Sequence, residues 1–221
     1  MLFEDTSVYN IHNAVLGARN PMNSWNKSDS VFKGYNGKIE NTEIGENDLK
    51  LLQSLIKAGS EHRKFMRQIE VSVIITAPLY WWKEFDTYKV GTVANSTSTM
   101  HKLASTPITI DCFEMDDFAG NDNLVEYWEE VIGHLEGIRQ VYNETKDKRY
   151  WKELIRLLPE SWLQKRTVTM DYENLLAICS KGQRRFHKLT EWSKAFIDWA
   201  RTLPYAQELI FLDEEEDKKN A

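Results

Sequence analysis

The feature that most constrains the fold of this chain is a long amphipathic pattern in its second half. Beginning after Asn121-Asp122, large apolar residues recur every three or four positions: Leu124, Val125, Trp128, Val131, Ile132, Leu135, Ile138 and Tyr142. That spacing is typical of an α-helix with one apolar face, about five turns long. Such a face is stable only when another layer of structure covers it. We therefore expect a helix-rich protein assembled around this element.

A second segment, in the first half of the chain, has the pattern of a buried strand. Residues 70–76, Glu-Val-Ser-Val-Ile-Ile-Thr, are rich in the β-branched side chains that favour strands. Pro78 suits the first turn of a helix, and we expect that helix to run to Gly91. Residues 92–99 are interpreted as a loop or the start of another helix, and residues 108–110 as a short strand.

Capping residues and apolar spacing predict four further helices. They are a helix capped by Asn47 or Asp48 and ending at Gly59, one at residues 149–158, one after Asp171, and one containing Trp192, Phe196 and Trp199. Mixed with the predicted strands, these helices indicate the α+β class. We expect the aromatic residues of these helices to be core.

The chain shows no linker that would divide it. We therefore predict a single α+β domain over residues 1–212, helix-rich with a central sheet. Residues 1–46 are rich in Asn, Gly and Ser and are expected to be irregular, with one strand near residues 6–11. Residues 213–221 are expected to be an acidic disordered tail.

Composition excludes several classes of function. The chain has 28 basic and 34 acidic residues and a net charge of −6, so it lacks the basic excess of a non-specific nucleic-acid binder. Its two cysteines, Cys112 and Cys179, cannot form a disulfide framework, which favours a reducing, cytoplasmic compartment. No signal peptide is evident, and the richest apolar stretch, residues 71–82, is too short to span a bilayer. We expect no membrane insertion.

Standard motifs for nucleotide, phosphate or zinc binding do not occur in the sequence. It contains no GxGxxG, GxxxxGK[ST], HExxH or GxSxG, and no two of its five histidines are three or four positions apart. We therefore expect no histidine-based metal site. Clustered carboxylates could act in acid–base chemistry or bind a divalent ion, but a solvent-facing turn is the favoured interpretation. These carboxylates are Asp111, Glu114, Asp116 and Asp117.

Aromatic side chains give another candidate binding surface. Trp25 and the run Tyr80-Trp81-Trp82 could stack on a flavin or a nucleobase. Aromatic residues at helical spacing are more often core residues, and we favour that interpretation for Trp82 and Phe85.

The segment from Lys89 to His101 is the first candidate for ligand binding. It combines a glycine with hydroxyl and amide side chains between basic residues, and short donors near positive charge can hold a phosphate. The alternative is that Gly91 caps one helix while Asn95 or Ser96 caps the next. Capping accounts for these residue types but not for five consecutive small polar residues.

A basic stripe in the last third of the chain is the second candidate. Lys181, Arg184, Arg185 and Lys188 would share one face of a helix, and Lys165-Arg166 add to the group. Arginine favours bidentate contacts with phosphate or carboxylate. The alternatives are a solvated face, or one that pairs with the acidic tail or a neighbouring subunit.

Several segments occur in the order found in the flavin-dependent (alternative) thymidylate synthases. The chain has a helix ending in Gly59-Ser60, the basic stretch 62–68, a strand leading to Ala77-Pro78, the segment 88–100, Arg156-Leu157-Leu158-Pro159, and finally residues 167–176. Over residues 47–200 the chain resembles that family in architecture more than in identity.

The family's signature is Arg-His-Arg, two residues, Ser, one residue, Asn-Glu, one residue, Ser, one residue, Arg. In this chain only Asn95 and Ser98 match it. The departures are Tyr88 and Val90 for the two arginines, Lys89 for the histidine, Val93 for the first serine, Ser96 for the glutamate and Met100 for the last arginine. Glu173 stands where the later helix usually offers the substrate an arginine. Such exchanges remove bidentate partners for phosphate.

The resemblance implies a homo-oligomer, a tetramer with sites between subunits, and the reductive methylation of deoxyuridylate at C5. That reaction uses FAD, a reduced nicotinamide cofactor and methylenetetrahydrofolate. One hypothesis is a diverged methyltransferase of the thymidylate synthase type that binds a pyrimidine nucleotide such as dUMP, with FAD. NADPH and methylenetetrahydrofolate are then needed only if the family reaction is retained. Its candidate ligand-binding residues are Lys89, Asn95, Ser96, Ser98, Arg184 and Arg185.

Two other interpretations stay open. In one, the same scaffold serves as a non-catalytic nucleotide-binding or structural homo-oligomer. In the other, the order of the elements coincides with that of the family by chance.

Overall fold

A computed structural model describes residues 1–35, 38–116 and 118–214, and it mixes helices with strands as the sequence predicts. The strands are β1 (Leu2–Tyr9), β2 (Val31–Tyr35), β3 (Lys38–Glu43), β4 (Glu70–Pro78), β5 (Val93–Ser96) and β6 (Leu163–Asp171). The helices are α1 (Ile11–Ala18), α2 (Glu46–Lys57), α3 (Leu79–Phe85), α4 (Thr99–Lys102), α5 (Asp122–Thr145), α6 (Lys148–Leu157), α7 (Tyr172–Ile178), α8 (Lys181–Arg184), α9 (Ile197–Arg201) and α10 (Ala206–Leu209). The α+β class is confirmed.

The central sheet has four strands in the order β1-β4-β6-β5. β4 is the strand predicted at residues 70–76, and its side chains alternate between buried and partly exposed positions along most of its length. Val71, Val73, Ile75 and Ala77 are fully buried, as expected where one face of a sheet meets the core. A separate antiparallel pair, β2 and β3, begins with Val31 opposite Glu43.

The chain packs as two compact units. The first contains Met1–Leu2, Ile74–Thr87 and Ala94–Thr167, and the second contains Phe3–Val73, Tyr88–Val93 and the residues from Val168 on. The predicted single domain over residues 1–212 stays a prediction, because compact packing does not show which part folds alone. Among the described residues, no helix is both long enough and apolar enough to cross a membrane.

The first unit is organised around α5 and α6. Both predicted helices are confirmed, and a buried cluster of Leu103, Ile108, Phe113, Leu135 and Leu154 joins them to the segment before α5. In α5, Leu135 is the residue that becomes fully buried, while the first turns of the helix are exposed.

An aromatic cluster follows β4 in the same unit. The Trp81 and Phe85 rings stack with centroids 5.2 Å apart, and the Trp82 ring meets both of them edge-on. The Trp82 indole N–H donates to the carbonyls of Ala77 and Gln164, each at 3.0 Å. Trp82 and Phe85 are therefore core residues, as favoured from the sequence.

A buried ion pair anchors the start of the second unit. Arg19 Nε donates to Asp48 Oδ1, and both side chains are almost fully buried. The other oxygen of Asp48 accepts from the Ser28 hydroxyl at 2.6 Å and the Ser30 hydroxyl at 2.5 Å. Burial alone would raise the pKa of Asp48, but the bonds from Ser28, Ser30 and Arg19 hold it below its usual value. Asp48 thus serves tertiary packing.

The predicted cap of α2 was wrong because the Asp48 side chain is bonded to Arg19, Ser28 and Ser30. The N-cap residue is Gly45 rather than Asn47 or Asp48. Asp29, from the preceding loop, accepts from the backbone N–H groups of Asn47 at 2.9 Å and Asp48 at 3.1 Å. A distant carboxylate therefore satisfies donors at the helix start. At the other end, Gly59 has φ of +102°, in agreement with the predicted stop.

The N-terminal prediction also needs correction. Residues 1–46 were expected to be irregular with one strand near residues 6–11, but they contain β1, α1, β2 and β3. β1 is earlier and longer than predicted because it pairs with β4, a long-range contact that local composition does not reveal. Most of the predicted tail at residues 213–221 lies outside the described residues, because the description ends at residue 214.

Three local predictions around the candidate segments were wrong. The helix after Pro78 ends at Phe85, six residues before Gly91, and Pro78 itself is the last residue of β4. Residues 93–96 form the edge strand β5. Backbone hydrogen bonds with β6 stabilise this strand, although its side chains show no strand pattern. Residues 108–110 do not form the predicted short strand, and a 3₁₀ turn, Ile110–Cys112, begins there instead.

Candidate functional site

Tyr88 opens the segment that aligns with the signature motif, and it is held inside the second unit. Its hydroxyl accepts from Gln183 Nε2 at 2.8 Å and lies 2.9 Å from His187 Nε2. The direction of the His187 contact follows the tautomer of the imidazole, since the hydroxyl can both donate and accept. His187 is 7% exposed and stacks on Trp192 with centroids 4.5 Å apart. Tyr88, which stands at the position of the first signature arginine, is therefore part of a polar and aromatic network.

The start of α7 holds the same segment from another side. Asp171 caps the helix by accepting from the Asn174 N–H at 2.8 Å, and the Asn174 side chain accepts in return from the Asp171 N–H at 3.0 Å. Asn174 Nδ2 also donates to the carbonyl of Val90 at 2.6 Å. Burial raises the pKa of the Asp171 carboxyl. The capping box of α7 thus binds the backbone of the segment 88–93.

Lys89 is the predicted ligand-binding residue in this segment, and its side chain is exposed to solvent. The flanking Val90 is 88% exposed, and Val93 is 71% exposed. These two valines stand where the signature has an arginine and a serine. The segment therefore presents one cation between apolar side chains.

Arg184 and Arg185 follow in the same unit, but not on the predicted face. The helix α8 ends at Arg184, and the Phe186 N–H then bonds to the Gln183 carbonyl at 2.9 Å, which turns the chain. The prediction that Lys181, Arg184, Arg185 and Lys188 share one face of a helix was wrong. Beyond the turn, His187 is buried, stacks on Trp192 and contacts the Tyr88 hydroxyl.

Arg184 is engaged by a carboxylate. Its Nη1 atom bonds to Glu214 Oε1, and Arg201 Nη2 bonds to Glu214 Oε2 at 2.8 Å. Burial would raise the pKa of Glu214, but the bonds from Arg201 and Arg184 hold it below its usual value. Arg185 is exposed at the turn after α8. The Gln183–Tyr88 hydrogen bond places α8 beside the segment that carries Lys89.

Asn95, Ser96 and Ser98 belong to the first unit. Asn95 and Ser96 are exposed on the edge strand β5. Ser98 caps α4, and its hydroxyl accepts from the His101 N–H at 3.2 Å. The cap is therefore Ser98 rather than Asn95 or Ser96. The six candidate residues are thus divided, with Lys89, Arg184 and Arg185 in one unit and these three in the other.

A cluster that sequence reasoning did not assemble surrounds Glu173. This carboxylate, 14% exposed, bonds to Arg63 Nε at 3.0 Å and to Arg67 Nε. Burial would raise its pKa, but the bonds from Arg67 and Arg63 hold it below the usual value, and the same contact raises the pKa of Arg67. The two arginines are about 110 residues away in sequence, so no spacing could have signalled the contact.

Arg166 is likewise bonded to neighbouring side chains of the first unit. Its guanidinium carbon lies 4.2 Å from the Trp82 ring centroid, and Nη1 bonds to Asp86 at 2.8 Å. This is a cation–π contact closed by an ion pair. Its role is packing, so it does not extend the basic stripe.

The carboxylates before α5 do not assemble a metal site in the described part of the chain. Among the described residues, no group of three or more His, Cys, Asp and Glu side chains could hold an ion. Glu114 instead accepts from the Tyr80 hydroxyl at 3.0 Å and from the Asp116 N–H at 2.5 Å. Asp117 lies outside the described residues.

The first unit also contains an apolar cavity of about 610 Å³ beside α5. Its lining includes Ile108, Met115, Trp128, Ile132 and Glu136. Glu136 is already bonded to Arg139 at 2.6 Å and 2.7 Å. The apolar pattern of α5 gave the sequence signal for this wall, but the pattern alone could not show that a cavity adjoins it.

The fold defines a helix-rich α+β protein whose sheet ends in an exposed edge strand. No family model matches the chain, and no curated protein matches it in sequence. Solved structures are similar to it. One is flavin dependent thymidylate synthase ThyX from Helicobacter pylori complexed with FAD and dUMP, with a TM-score of 0.68, 15% identity, and coverage of 96% of this chain and 99% of that chain.

A second solved structure gives the same result. It is thymidylate synthase X (ThyX) from Helicobacter pylori with FAD and dUMP at 2.31 Å resolution, with a TM-score of 0.70, 15% identity, and coverage of 96% of this chain and 98% of that chain. The fold inferred from the order of the sequence segments is confirmed. At this identity the likeness concerns the fold.

Proposed function

We propose that this chain is a flavin-dependent thymidylate synthase-like protein that binds a pyrimidine nucleotide such as dUMP. The observation that carries the proposal is the likeness of fold over 96% of the chain to proteins crystallised with FAD and dUMP. The order of the segments in the sequence supports it independently. Fold likeness raises the expectation of nucleotide binding without fixing the chemistry.

The charge available to a nucleotide phosphate comes from a few exposed side chains. In the second unit these are Lys89 and Arg185, since Arg184 is paired with Glu214. An exposed lysine contacts phosphate as a point charge, whereas arginine can bond in a bidentate manner. Asn95 and Ser96, exposed on β5 of the first unit, are a separate set of neutral donors. Ser98 contributes by capping α4.

FAD fits this chain less well than a mononucleotide does. Its pyrophosphate needs strong donors, but Val90 and Met100 replace signature arginines and are 88% and 49% exposed. Lys89 and Arg185 must then supply the charge. When bound, FAD would supply redox chemistry for a one-carbon transfer. NADPH and methylenetetrahydrofolate are required only if the whole reaction is retained.

The second candidate function is a non-catalytic nucleotide-binding or structural homo-oligomer. It is favoured by the engagement of the groups that would otherwise face a ligand. Tyr88 bonds to Gln183 and His187, and Arg63 and Arg67 share the Glu173 carboxylate. A site whose cations already have carboxylate partners binds an anion only by displacing them.

Assembly into a homo-oligomer, as a tetramer, is part of both candidates. The support is α5, which is about 36 Å long for its 24 residues. Near its start Leu124, Val125 and Tyr127 are 38%, 41% and 59% exposed. Contiguous exposed apolar residues mark contact surfaces between proteins. We propose that a second copy of the chain covers them.

The test is the absorption spectrum of freshly purified protein, combined with native mass spectrometry and thermal unfolding with FAD or dUMP. A flavin spectrum with turnover of labelled dUMP supports the enzyme. A rise in melting temperature with dUMP but no turnover supports the second candidate. No bound nucleotide and no shift with either compound at high concentration contradicts nucleotide binding in both candidates and leaves only the structural homo-oligomer.

Variants locate the proposed site. Lys89→Gln and Arg185→Gln should each weaken dUMP binding about three- to tenfold, because each removes one exposed charge from the phosphate. Lys27→Gln is the matched control, since Lys27 is an exposed lysine of the same unit outside the candidate segments. Equal loss in all three variants would indicate a non-specific charge effect.

A further inference from the structure

A second cavity in the first unit lies where α4, the end of α5 and the start of α6 meet. It has a volume of about 350 Å³ and is lined by Met100, His101, Ala104, Tyr142, Lys148 and Trp151. This volume is within the range of small-molecule sites. None of the six candidate ligand-binding residues lines it, although Met100 and His101 come from the end of the first candidate segment. The dUMP-binding test through Lys89 and Arg185 and the test of this cavity through Lys148 can therefore fail separately.

The walls of this cavity are tied together by hydrogen bonds. The Trp151 indole N–H of α6 donates to the Met100 carbonyl at 2.9 Å. From α5, Asn143 Nδ2 and Arg139 Nη1 donate to the Ala104 carbonyl at 2.9 Å and 3.1 Å. Both neighbouring helices therefore hold the segment 100–104 in place. A ligand would meet walls that are already ordered.

The lining combines two aromatic rings with positive charge. Tyr142 and Trp151 supply the rings, and Lys148 supplies an exposed ammonium group. Lys146 Nζ lies 5.7 Å from the Tyr142 ring centroid and adds charge beside the cavity. Among the lining residues that the structure describes, none is acidic.

The nearest carboxylate in sequence is already paired. Asp147 precedes Lys148, and its Oδ2 oxygen accepts from Arg149 Nη2 at 2.6 Å and from Arg149 Nε at 2.9 Å. These bonds lower the pKa of Asp147, so it stays ionised and bound to that guanidinium. The charge of Lys148 is therefore available to a ligand in the cavity.

We propose that this cavity binds a small anion that carries a flat ring, either an aromatic carboxylate or an aromatic phosphate. The ring stacks on Trp151 or Tyr142, and the charged group pairs with Lys148 at the rim, with His101 as a further donor. A ring without a charge, or a charge without a ring, should bind more weakly. An inorganic anion makes no ring contact, and a neutral ring forms no ion pair with the ammonium group of Lys148.

The test uses the eight tryptophan indole N–H resonances of ¹⁵N-labelled protein. The Trp151→Phe variant assigns the Trp151 resonance by its loss. Phenyl phosphate and benzoate are titrated as the two ring-bearing anions, with inorganic phosphate and benzyl alcohol as probes that carry only half of the chemistry. We expect the ring-bearing anions to move the Trp151 resonance most, and the stronger of the two identifies the preferred charged group.

Substitutions separate this site from general charge effects. Lys148→Gln should raise the dissociation constant of phenyl phosphate about tenfold. Lys152→Gln is the matched control, because Lys152 is exposed on the same helix but does not line the cavity, and we expect no change. The proposal is overturned if the Trp151 resonance stays fixed up to the solubility limit of both anions, if a half-probe moves it as strongly, or if both lysine variants lose binding equally.

Discussion

At Gly91 the backbone has φ of +79°, and the residue is pressed against the start of α7. A Cβ atom there would lie 2.9 Å from both Asn174 Oδ1 and Asp171 Oδ2. Gly91→Ala should therefore lower the free energy of unfolding by about 2 kcal/mol, through backbone strain and the clash with the capping box. Urea unfolding monitored by circular dichroism measures it.

Glycines of α5 give the matched control. A Cβ at Gly133 or Gly137 meets nothing within 4 Å. Gly133→Ala and Gly137→Ala should raise the free energy of unfolding by about 0.5–1 kcal/mol, because alanine loses less backbone entropy in a helix. A destabilised Gly133→Ala or an unaffected Gly91→Ala would contradict the described backbone.

Glu136 should make stability depend on acidity. The bonds from Arg139, partly offset by burial, lower its pKa from 4.5 to about 2, and the Ile108 N–H and Gln140 also donate to it. The unfolded chain binds the proton more readily, so the stabilisation is complete above pH 4.5 and is lost as the pH falls through about 2. Glu136→Gln should cost about 1–3 kcal/mol at pH 7.

The measurement is urea unfolding of the natural chain and Glu136→Gln at pH 7 and at pH 2. The difference between the two proteins should shrink at the lower pH, where the carboxyl of the natural chain is being protonated. Glu144→Gln, on the exposed end of the same helix, controls for a general loss of negative charge. An equal difference at both pH values would rule out the ion pair as the cause.

At the scale of single elements, α7 depends on its capping box. Asp171→Ala removes the acceptor of the Asn174 N–H and should cost about 1 kcal/mol. Asp171→Asn should cost less than about 0.5 kcal/mol, because an amide oxygen also caps a helix and burial already disfavours the charge of Asp171. Thermal unfolding of both variants checks the order, and the reverse order would mean that the charge is what stabilises the helix.

Elements with long periodic patterns could be predicted from sequence. This holds for α5 and α6, because apolar spacing over ten or more residues determines a helix locally. It also holds for β4, because a run of β-branched residues favours a strand. β5 could not be, because Val93–Ser96 is exposed and exists through pairing with β6. The extent of α8 was missed because the chain turns after Arg184, and His187 there contacts Tyr88, 99 positions away in sequence.

The candidate site was predictable only in part. Sequence order located the segment 88–100, and the exposed Lys89, Asn95 and Ser96 leave it a candidate. The partner of Arg184 was among the alternatives, because Glu214 belongs to the acidic segment with which the basic residues were expected to pair. The partners of Glu173 lie about 110 positions away in sequence, and no local pattern encodes that contact.

At the scale of the whole molecule, the exposed start of α5 predicts self-association. Light scattering should give a multiple of 25.9 kDa for the natural chain. Leu124→Glu combined with Tyr127→Glu should shift it to the monomer mass, because two charges would be buried in the contact. His134→Glu, an exposed position later on the same helix, should leave the mass unchanged. A natural chain that runs as a monomer would contradict the homo-oligomer.

The aromatic contacts also give each compact unit its own optical signal. The Trp81 and Trp82 rings lie 4.8 Å apart at 82°, a geometry that couples their electronic transitions and adds a signature to the near-ultraviolet circular dichroism of the first unit. In the second unit, the imidazole of His187 stacks on Trp192 and should quench its fluorescence. Loss of the dichroism and recovery of the emission can therefore be followed in one denaturation series, and their midpoints report whether the two units melt together.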